Sequence, residues 1–292
     1  MRVNQVYSHG KKHDSSRISR SPQRLKNIKR QKGKYPLLAE KIVQMSDIIL
    51  EILDSRFIKE TRNSEIEDMI KRENKKIIYV FNKSDLIDLE KIDRGYIEKL
   101  NPKVFVSCTK RGGIKELRDR IKILAGKVKE HVDKRANKIT VGVVGYPNTG
   151  KSSVINLLSG KNATRTGSEA GFTKGIIKVK LTSDILLVDS PGIIPNKEYS
   201  SSNNLVMSQH TKLGARAYNQ VKEPEVAVAE IMKEFPSIIE NFYDIDSDGD
   251  SEVLIENLGR QRKFLIKGNK VDEDRTARLI LKDWQEGKIK RI

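Results

Sequence analysis

Three short stretches bring together residue types that can handle a nucleoside triphosphate. GYPNTGKS, Gly145 to Ser152, has the spacing G-x-x-x-x-G-K-[ST]. In that spacing a turn and the following helix start aim backbone N–H groups at phosphate oxygens. Lys151 then reaches the β- and γ-phosphates, and the Ser152 hydroxyl can ligate Mg²⁺. Asn148, Thr149, Gly150 and Ser153 complete the expected phosphate contacts. DSPG, Asp189 to Gly192, supplies a carboxylate that can hold Mg²⁺ through water and, at Gly192, a backbone N–H for the γ-phosphate. NKSD, Asn82 to Asp85, can read guanine. Asp85 would accept from the ring N–H and the exocyclic amine, a donor pair that adenine lacks. Asn82 would meet the base edge and brace the loop, while the Lys83 stem covers the ring face.

Two further stretches add to the set. SCT, Ser107 to Thr109, can offer the Cys108 backbone N–H to the guanine carbonyl, with plain packing of a buried Cys as the alternative. GFTKG contains Thr173, which can cover the γ-phosphate and complete the Mg²⁺ shell; Thr164 and Thr166 in the same loop are competitors for that role. Lys151, Thr173 and Gly192 are therefore the residues expected to act on the terminal phosphate.

These groups need a scaffold that brings them to one edge. Apolar runs at DIILEIL (47–53), IIYVF (77–81), KVFVS (103–107), ITVGVVG (139–145), IIKVKL (176–181) and DILLVD (184–189) read as six strands, with helical patterns between most of them. That alternation predicts an α/β sheet. Only Thr182 and Ser183 separate the last two strands, so they should pair as an antiparallel hairpin in an otherwise parallel sheet. Ile114, Leu117, Ile121, Leu124, Val128 and Val132 recur at steps of three and four, predicting a long helix from Gly113 to about Arg135.

The order of the motifs is unusual, because the base-reading element precedes the phosphate loop. Cutting a Ras-like chain after the strand that ends in DSPG, and joining its old termini through the helix at 113–135, reproduces this order. Chain termini often lie close together, so such a cut preserves the sheet. The expected fold is a circularly permuted Ras-like P-loop domain at 35–222, with a small helical domain at 223–292.

The chain has 292 residues and 57 Lys+Arg against 39 Asp+Glu, a formal net charge of +18. Such a surplus favours a polyanionic partner, nucleic acid ahead of an anionic membrane surface. A single cysteine excludes an intramolecular disulfide, and no apolar run approaches the ~18 residues of a membrane span. A soluble, cytoplasmic protein is expected. Residues 1–34 carry eleven Lys/Arg and one Asp and few large apolar residues, and read as a basic arm without its own core. In the last helical pattern Arg275, Arg278 and Lys282 share one face as candidate RNA contacts, while Ala277, Leu281 and Trp284 share a core-facing one. DIDSDGD (244–250) looks like a calcium loop, but Ile255 stands where a bidentate Glu is required, so an acidic turn is expected.

With its motif order, with LDSRF and TRN between Leu53 and Asn63, with GFTKG, and with the tail DEDRTARLILKDWQEGKI, the chain resembles the circularly permuted GTPases of the YlqF/YawG type. The resemblance covers residues 37 to 195 most strongly. It implies GTP or GDP with Mg²⁺ as ligands, the large ribosomal subunit and its RNA as partner, and a potassium ion at the phosphates held by Asn148; a loop-bracing role is the alternative for that residue. The family's P-G-H-M element has no match, since YSHGKK around His9 departs from it, and Ile193 stands where Ras-type enzymes place a water-orienting glutamine. Slow intrinsic hydrolysis, stimulated by potassium and by the ribosome, follows from the resemblance. An RNA chaperone that holds GTP with little turnover and a tRNA-directed GTPase remain open alternatives. The oligomeric state is not legible, and a monomer is the simplest expectation.

Overall fold

Runs of aliphatic residues without polar alternation need burial on both faces, which a parallel sheet flanked by helices provides. The computed structural model describes residues 34–90, 92–131, 138–160, 165–166, 177–190, 192–193, 210–214 and 217–290. The apolar runs become β1 (Ile48–Asp54), β2 (Lys76–Asn82), β3 (Lys103–Val106), β4 (Ile139–Gly145), β6 (Ile177–Lys180) and β7 (Ile185–Asp189). Every residue of β1 is buried. The sheet order is β3-β2-β1-β4-β7-β6-β5, where β5 is the two-residue strand Arg165–Thr166. Six strands were expected, and among the described residues this sheet has seven. β5 is too short to show any periodicity, and it exists only by pairing antiparallel to β6. β6 and β7 form the expected antiparallel hairpin, and the other neighbouring pairs are parallel.

Helices α1 (Lys34–Met45) and α2 (Ser64–Arg72) cover one face, and α3 (Ile114–His131) and α4 (Lys151–Ser159) the other. Leu117 and Ile121 of α3 are fully buried against Ile52, Val80 and Val143. This helix carries the chain from edge strand β3 back to central β4, as the permuted connection requires. Val132 lies outside the described residues.

β1 ends in a knot of hydrogen bonds that gives the TRN element a structural role. Thr61 Oγ accepts from the Asp54 N–H at 3.1 Å and donates to the Phe57 carbonyl at 2.7 Å. Asn63 caps α2 through the Ile66 N–H, and its own N–H donates to buried Glu51. Both residues position the chain just after β1.

The C-terminal region forms α5 (Pro224–Glu234), α6 (Pro236–Tyr243), α7 (Ser251–Gln261), the hairpin β8 (Leu265–Ile266) with β9 (Lys270–Val271), and α8 (Glu273–Gln285). Proline opens both α5 and α6, where its missing N–H costs nothing. Ala277, Leu281 and Trp284 of α8 are fully buried, as the pattern predicted. Their core also takes in Phe57 and Tyr146 from beside the sheet, so the chain from Tyr35 onward clusters as one compact unit. At the joint, Arg56 forms a fork with Asp54 at 3.0 and 2.9 Å and donates to the Trp284 carbonyl at 2.9 Å. Removing one partner of such a buried pair costs about 3–5 kcal/mol, because the other charge stays unpaired in low dielectric.

The DIDSDGD stretch is an acidic turn. Glu240 Oε1 accepts from the Ser247 N–H, the Ser247 hydroxyl and the Gly249 N–H at 3.2, 2.6 and 2.9 Å, plugging the loop from within. No metal-holding cluster of His, Cys, Asp or Glu is present among the described residues. None of the described helices is long and apolar enough to cross a membrane.

Candidate functional site

The carboxyl ends of β1, β2, β4 and β7 lie side by side and deliver Asp54, Asn82, Gly145 and Asp189 to one edge of the sheet. Open α/β sheets bind ligands at this edge. A cleft of about 770 Å³ opens there. Asn82, Lys83, Asp85 and Cys108 line one end, and Asn148, Gly150, Lys151, Ser152 and Ser153 the other, where Asp189 and Gly192 lie beside the phosphate loop. Ser107 and Thr149 are buried just behind the wall. Residues separated by more than a hundred positions thus share one cavity. Thr173, Thr164, His9 and the basic arm lie outside the described residues.

The base-reading and phosphate loops are tied directly. Asn82 Nδ2 donates to the Thr149 carbonyl at 2.7 Å, and the Thr149 hydroxyl donates to the Tyr146 carbonyl at 2.9 Å. Gly150 sits at φ 94°, and a Cβ there would come within 2.2 Å of Asn82 Nδ2, so only glycine lets the loops close. Asn82 Oδ1 is buried without a hydrogen-bond partner among the described residues. Such an atom is costly unless something else donates to it.

Asp85 is built to stay ionised. Burial raises its carboxyl, but hydrogen bonds from Ser107, its own backbone and Thr109 outweigh this and hold it below the usual carboxylate range. The Thr109 hydroxyl donates to Oδ2 at 3.1 Å. Lys83, at φ 62°, sends its ammonium to Asp54 Oδ2 at 2.8 Å, which leaves its stem along the cleft wall. Burial pushes the Cys108 thiol up to about 11, so it is uncharged at neutral pH.

At the other end Lys151 Nζ donates to the Gly145 and Tyr146 carbonyls at 3.1 and 2.8 Å, and burial lowers its pKa to about 8. The Ser152 hydroxyl donates to Asp189 Oδ2 at 3.1 Å, bringing together two of the three expected Mg²⁺ residues. Asp189 Oδ1 is buried without a hydrogen-bond partner among the described residues, and burial raises this carboxyl against the pull of Ser152 and Lys151. An under-satisfied carboxylate beside a hydroxyl fits a hard, oxygen-seeking cation. Asn148 lies at φ 59° and donates its amide to the Gly214 carbonyl, a loop-bracing contact that uses the nitrogen of the amide and not its oxygen. Ile193 is buried against Val144 and Val188 and cannot orient water.

Further residues of this neighbourhood had no assigned role. Leu86, Thr109 and Ser190 join the lining, as do Gln285, Glu286 and Gly287 from the end of α8. Thr109 closes SCT and Ser190 lies within DSPG; Gln285 to Gly287 belong to the tail DEDRTARLILKDWQEGKI, whose resemblance to the family tail gives no sign of a place at the cleft. The α8 basic residues divide by environment. Arg278 donates to the Tyr218 and Val221 carbonyls at 2.8 and 3.1 Å and pairs with Asp274, so it ties the linker to the helix instead of facing outward. Arg275 lies exposed over the Phe264 ring at 4.0 Å, and Lys282 stands 3.9 Å from Glu286.

The topology superposes on GNP-bound YlqF from T. maritima with a TM-score of 0.61 at 21% identity, covering 88% of this chain and 96% of that one. The chain therefore has a circularly permuted Ras-like P-loop fold. The GDP-bound YlqF structure gives a TM-score of 0.59 at 22% identity over 86% of this chain and 95% of that one. Residues 140–249 match the 50S ribosome-binding GTPase family. An uncharacterised GTP-binding protein of Methanocaldococcus jannaschii is 40% identical over 256 residues, 86% of this chain and 65% of that protein. Nucleolar GTP-binding protein 2 of Pneumocystis carinii is 34% identical over 256 residues, 85% of this chain and 51% of that protein. The chain therefore spans between half and two thirds of these relatives. The permuted fold accounts for the motif order: β1 and β4, neighbours in the sheet, are far apart in sequence because the chain visits the base-reading half first.

Proposed function

We propose that this chain is a GTP-binding and GTP-hydrolysing switch that acts in assembly of the large ribosomal subunit through contact with its RNA. The observation that carries the reading is the meeting of NKSD, GYPNTGKS and DSPG in one cleft of a permuted GTPase fold. The matched family and relatives, with the +18 net charge, support a ribosomal partner. Asp85 and Asn82 take the base, Lys151 and the loop N–H groups the phosphates, and Ser152 and Asp189 the Mg²⁺, with Thr173 completing its shell. Bound Mg²⁺ neutralises charge on the β- and γ-phosphates. Arg275 and Lys282, with the basic arm, are the proposed RNA contacts in the cytoplasm; Arg278 supports them by holding the linker.

Buried Ile193 leaves the nucleophilic water without a glutamine, so hydrolysis by the free protein should be slow. Single-turnover hydrolysis should accelerate at least about tenfold on adding large ribosomal subunits, since a missing positioning group is worth that much or more. Equal slow rates with and without subunits would favour a GTP-holding RNA chaperone.

Potassium tests Asn148. If its Oδ1 helps hold a cation at the phosphates, hydrolysis is faster in potassium than in sodium at equal ionic strength, and Asn148→Ala removes the difference. Identical wild-type rates in both salts would reject the assignment.

The low pKa of Lys151 sets a pH dependence. Nucleotide phosphates require the charged ammonium and raise its pKa on binding, so affinity should hold steady below about pH 8 and fall above it, approaching tenfold per pH unit. Titrations at pH 7 and pH 9 should show this loss in the wild type and not in Lys151→Ala. Parallel losses in both proteins would remove Lys151 as the cause.

A further inference from the structure

Beyond the motif residues, the end of α8 forms a wall of the cleft. Gly287 lies so close to the base-reading loop that a Cβ there would sit 2.6 Å from Leu86 Cδ1. At the opposite side, Gly214 accepts the Asn148 amide, and a Cβ on Gly214 would sit 3.9 Å from Gln285 Cγ. The three residues from Gln285 to Gly287 thus run from the phosphate-loop end of the cleft to its base-loop end. In a nucleotide the ribose occupies that interval.

The wall is held firmly. Gln285 donates to the Thr211 carbonyl at 3.0 Å and accepts from the Tyr218 N–H at 3.1 Å, while Arg56 grips the Trp284 carbonyl at 2.9 Å. Glu286 also lines the cleft, and its carboxylate pairs with Lys288 at 3.1 Å and with Lys282 at 3.9 Å, both exposed enough to yield to a ligand. Among the described residues, three carboxylates line the cleft: Asp85, Asp189 and Glu286. The first two answer the base and the cation.

We propose that Glu286 is a specificity-determining residue that accepts hydrogen bonds from the ribose hydroxyls of the bound guanine nucleotide, so that the C-terminal helix reads the sugar. Vicinal hydroxyls are a donor pair, and a carboxylate is the acceptor that matches them, as in dinucleotide sites where an acidic residue takes the ribose. The backbone of the wall is held, so the contact orders only the Glu286 side chain, at the expense of its exposed lysine pairs. This rests on the guanine-nucleotide reading of the cleft.

Calorimetric titration of the full chain with GDP and with 2′,3′-dideoxy-GDP, both with Mg²⁺, tests it without any variant. The wild type should bind GDP about tenfold more tightly, in keeping with charge-assisted hydrogen bonds. Glu286→Ala should bring GDP down to the dideoxy level, and the two losses should not add. Equal wild-type affinity for the two ligands overturns the assignment while leaving the base and phosphate reading intact. A Glu286→Ala loss equal for both ligands also overturns it. Absence of GDP binding altogether would defeat the nucleotide reading and this inference with it.

Discussion

Asp85→Asn should exchange the nucleotide preference of the protein from guanine to xanthine. The Asp85 carboxylate is held ionised by Ser107, its own backbone and Thr109, so it presents two acceptors to the two donors of guanine. Asparagine keeps one acceptor and turns the other into a donor, which opposes the exocyclic amine and suits the xanthine carbonyl. Two charge-assisted hydrogen bonds at about 1.5–3 kcal/mol each put the loss of GTP affinity near a hundredfold or more. Competition titrations with GTP, XTP and ATP measure it. The wild type should prefer GTP far above ATP; comparable wild-type affinity for ATP, or an Asn variant that still favours GTP, would contradict the role given to NKSD.

Lys151→Ala should weaken GTP and GDP alike, by about a hundredfold, while leaving any weak affinity for guanosine unchanged. The ammonium already leans on the Gly145 and Tyr146 carbonyls, so the phosphate loop is held in shape around the place where phosphate oxygens would replace them. Burial penalises its charge, and a polyanion relieves that penalty, which is why one side chain can carry about 3 kcal/mol. Loss of guanosine affinity to the same degree would mean that the variant had disturbed the fold, and retention of GDP affinity would remove Lys151 from the site.

The legible parts of this chain were those where a local pattern matched a local need. Long buried strands announce themselves as aliphatic runs, and G-x-x-x-x-G-K-[ST] must be contiguous because successive backbone N–H groups do the binding. Circular permutation was legible too, since it rearranges motifs without altering any of them. What escaped were contacts made by tertiary structure alone. Arg56 stands in the quoted LDSRF stretch, but its spacing gives no sign that it joins Asp54 at the end of β1 to the Trp284 carbonyl of α8. Arg278 falls on the basic face by periodicity, but the linker carbonyls of Tyr218 and Val221 draw it inward. Gln285 to Gly287 reach the cleft only because Phe57 and Tyr146 share a core with the C-terminal helices. Two-residue β5 has no period at all.

These tertiary contacts link the cleft to α8, the element that carries the proposed RNA contacts. Asp54 meets both Lys83 of the base-reading loop and Arg56, whose guanidinium holds α8. A ligand in the cleft therefore touches the element that carries Arg275 and Lys282. If nucleotide state alters how α8 is presented, RNA must in turn favour one nucleotide, because coupling between two sites is reciprocal.

Co-sedimentation of the full chain with purified large-subunit particles, in a non-hydrolysable GTP analogue and in GDP, tests this most directly. The switch predicts tighter binding in the GTP-like state, with Arg275→Ala and Lys282→Ala weakening it and flattening its salt dependence. Equal affinity for the particle in the two nucleotide states would contradict it.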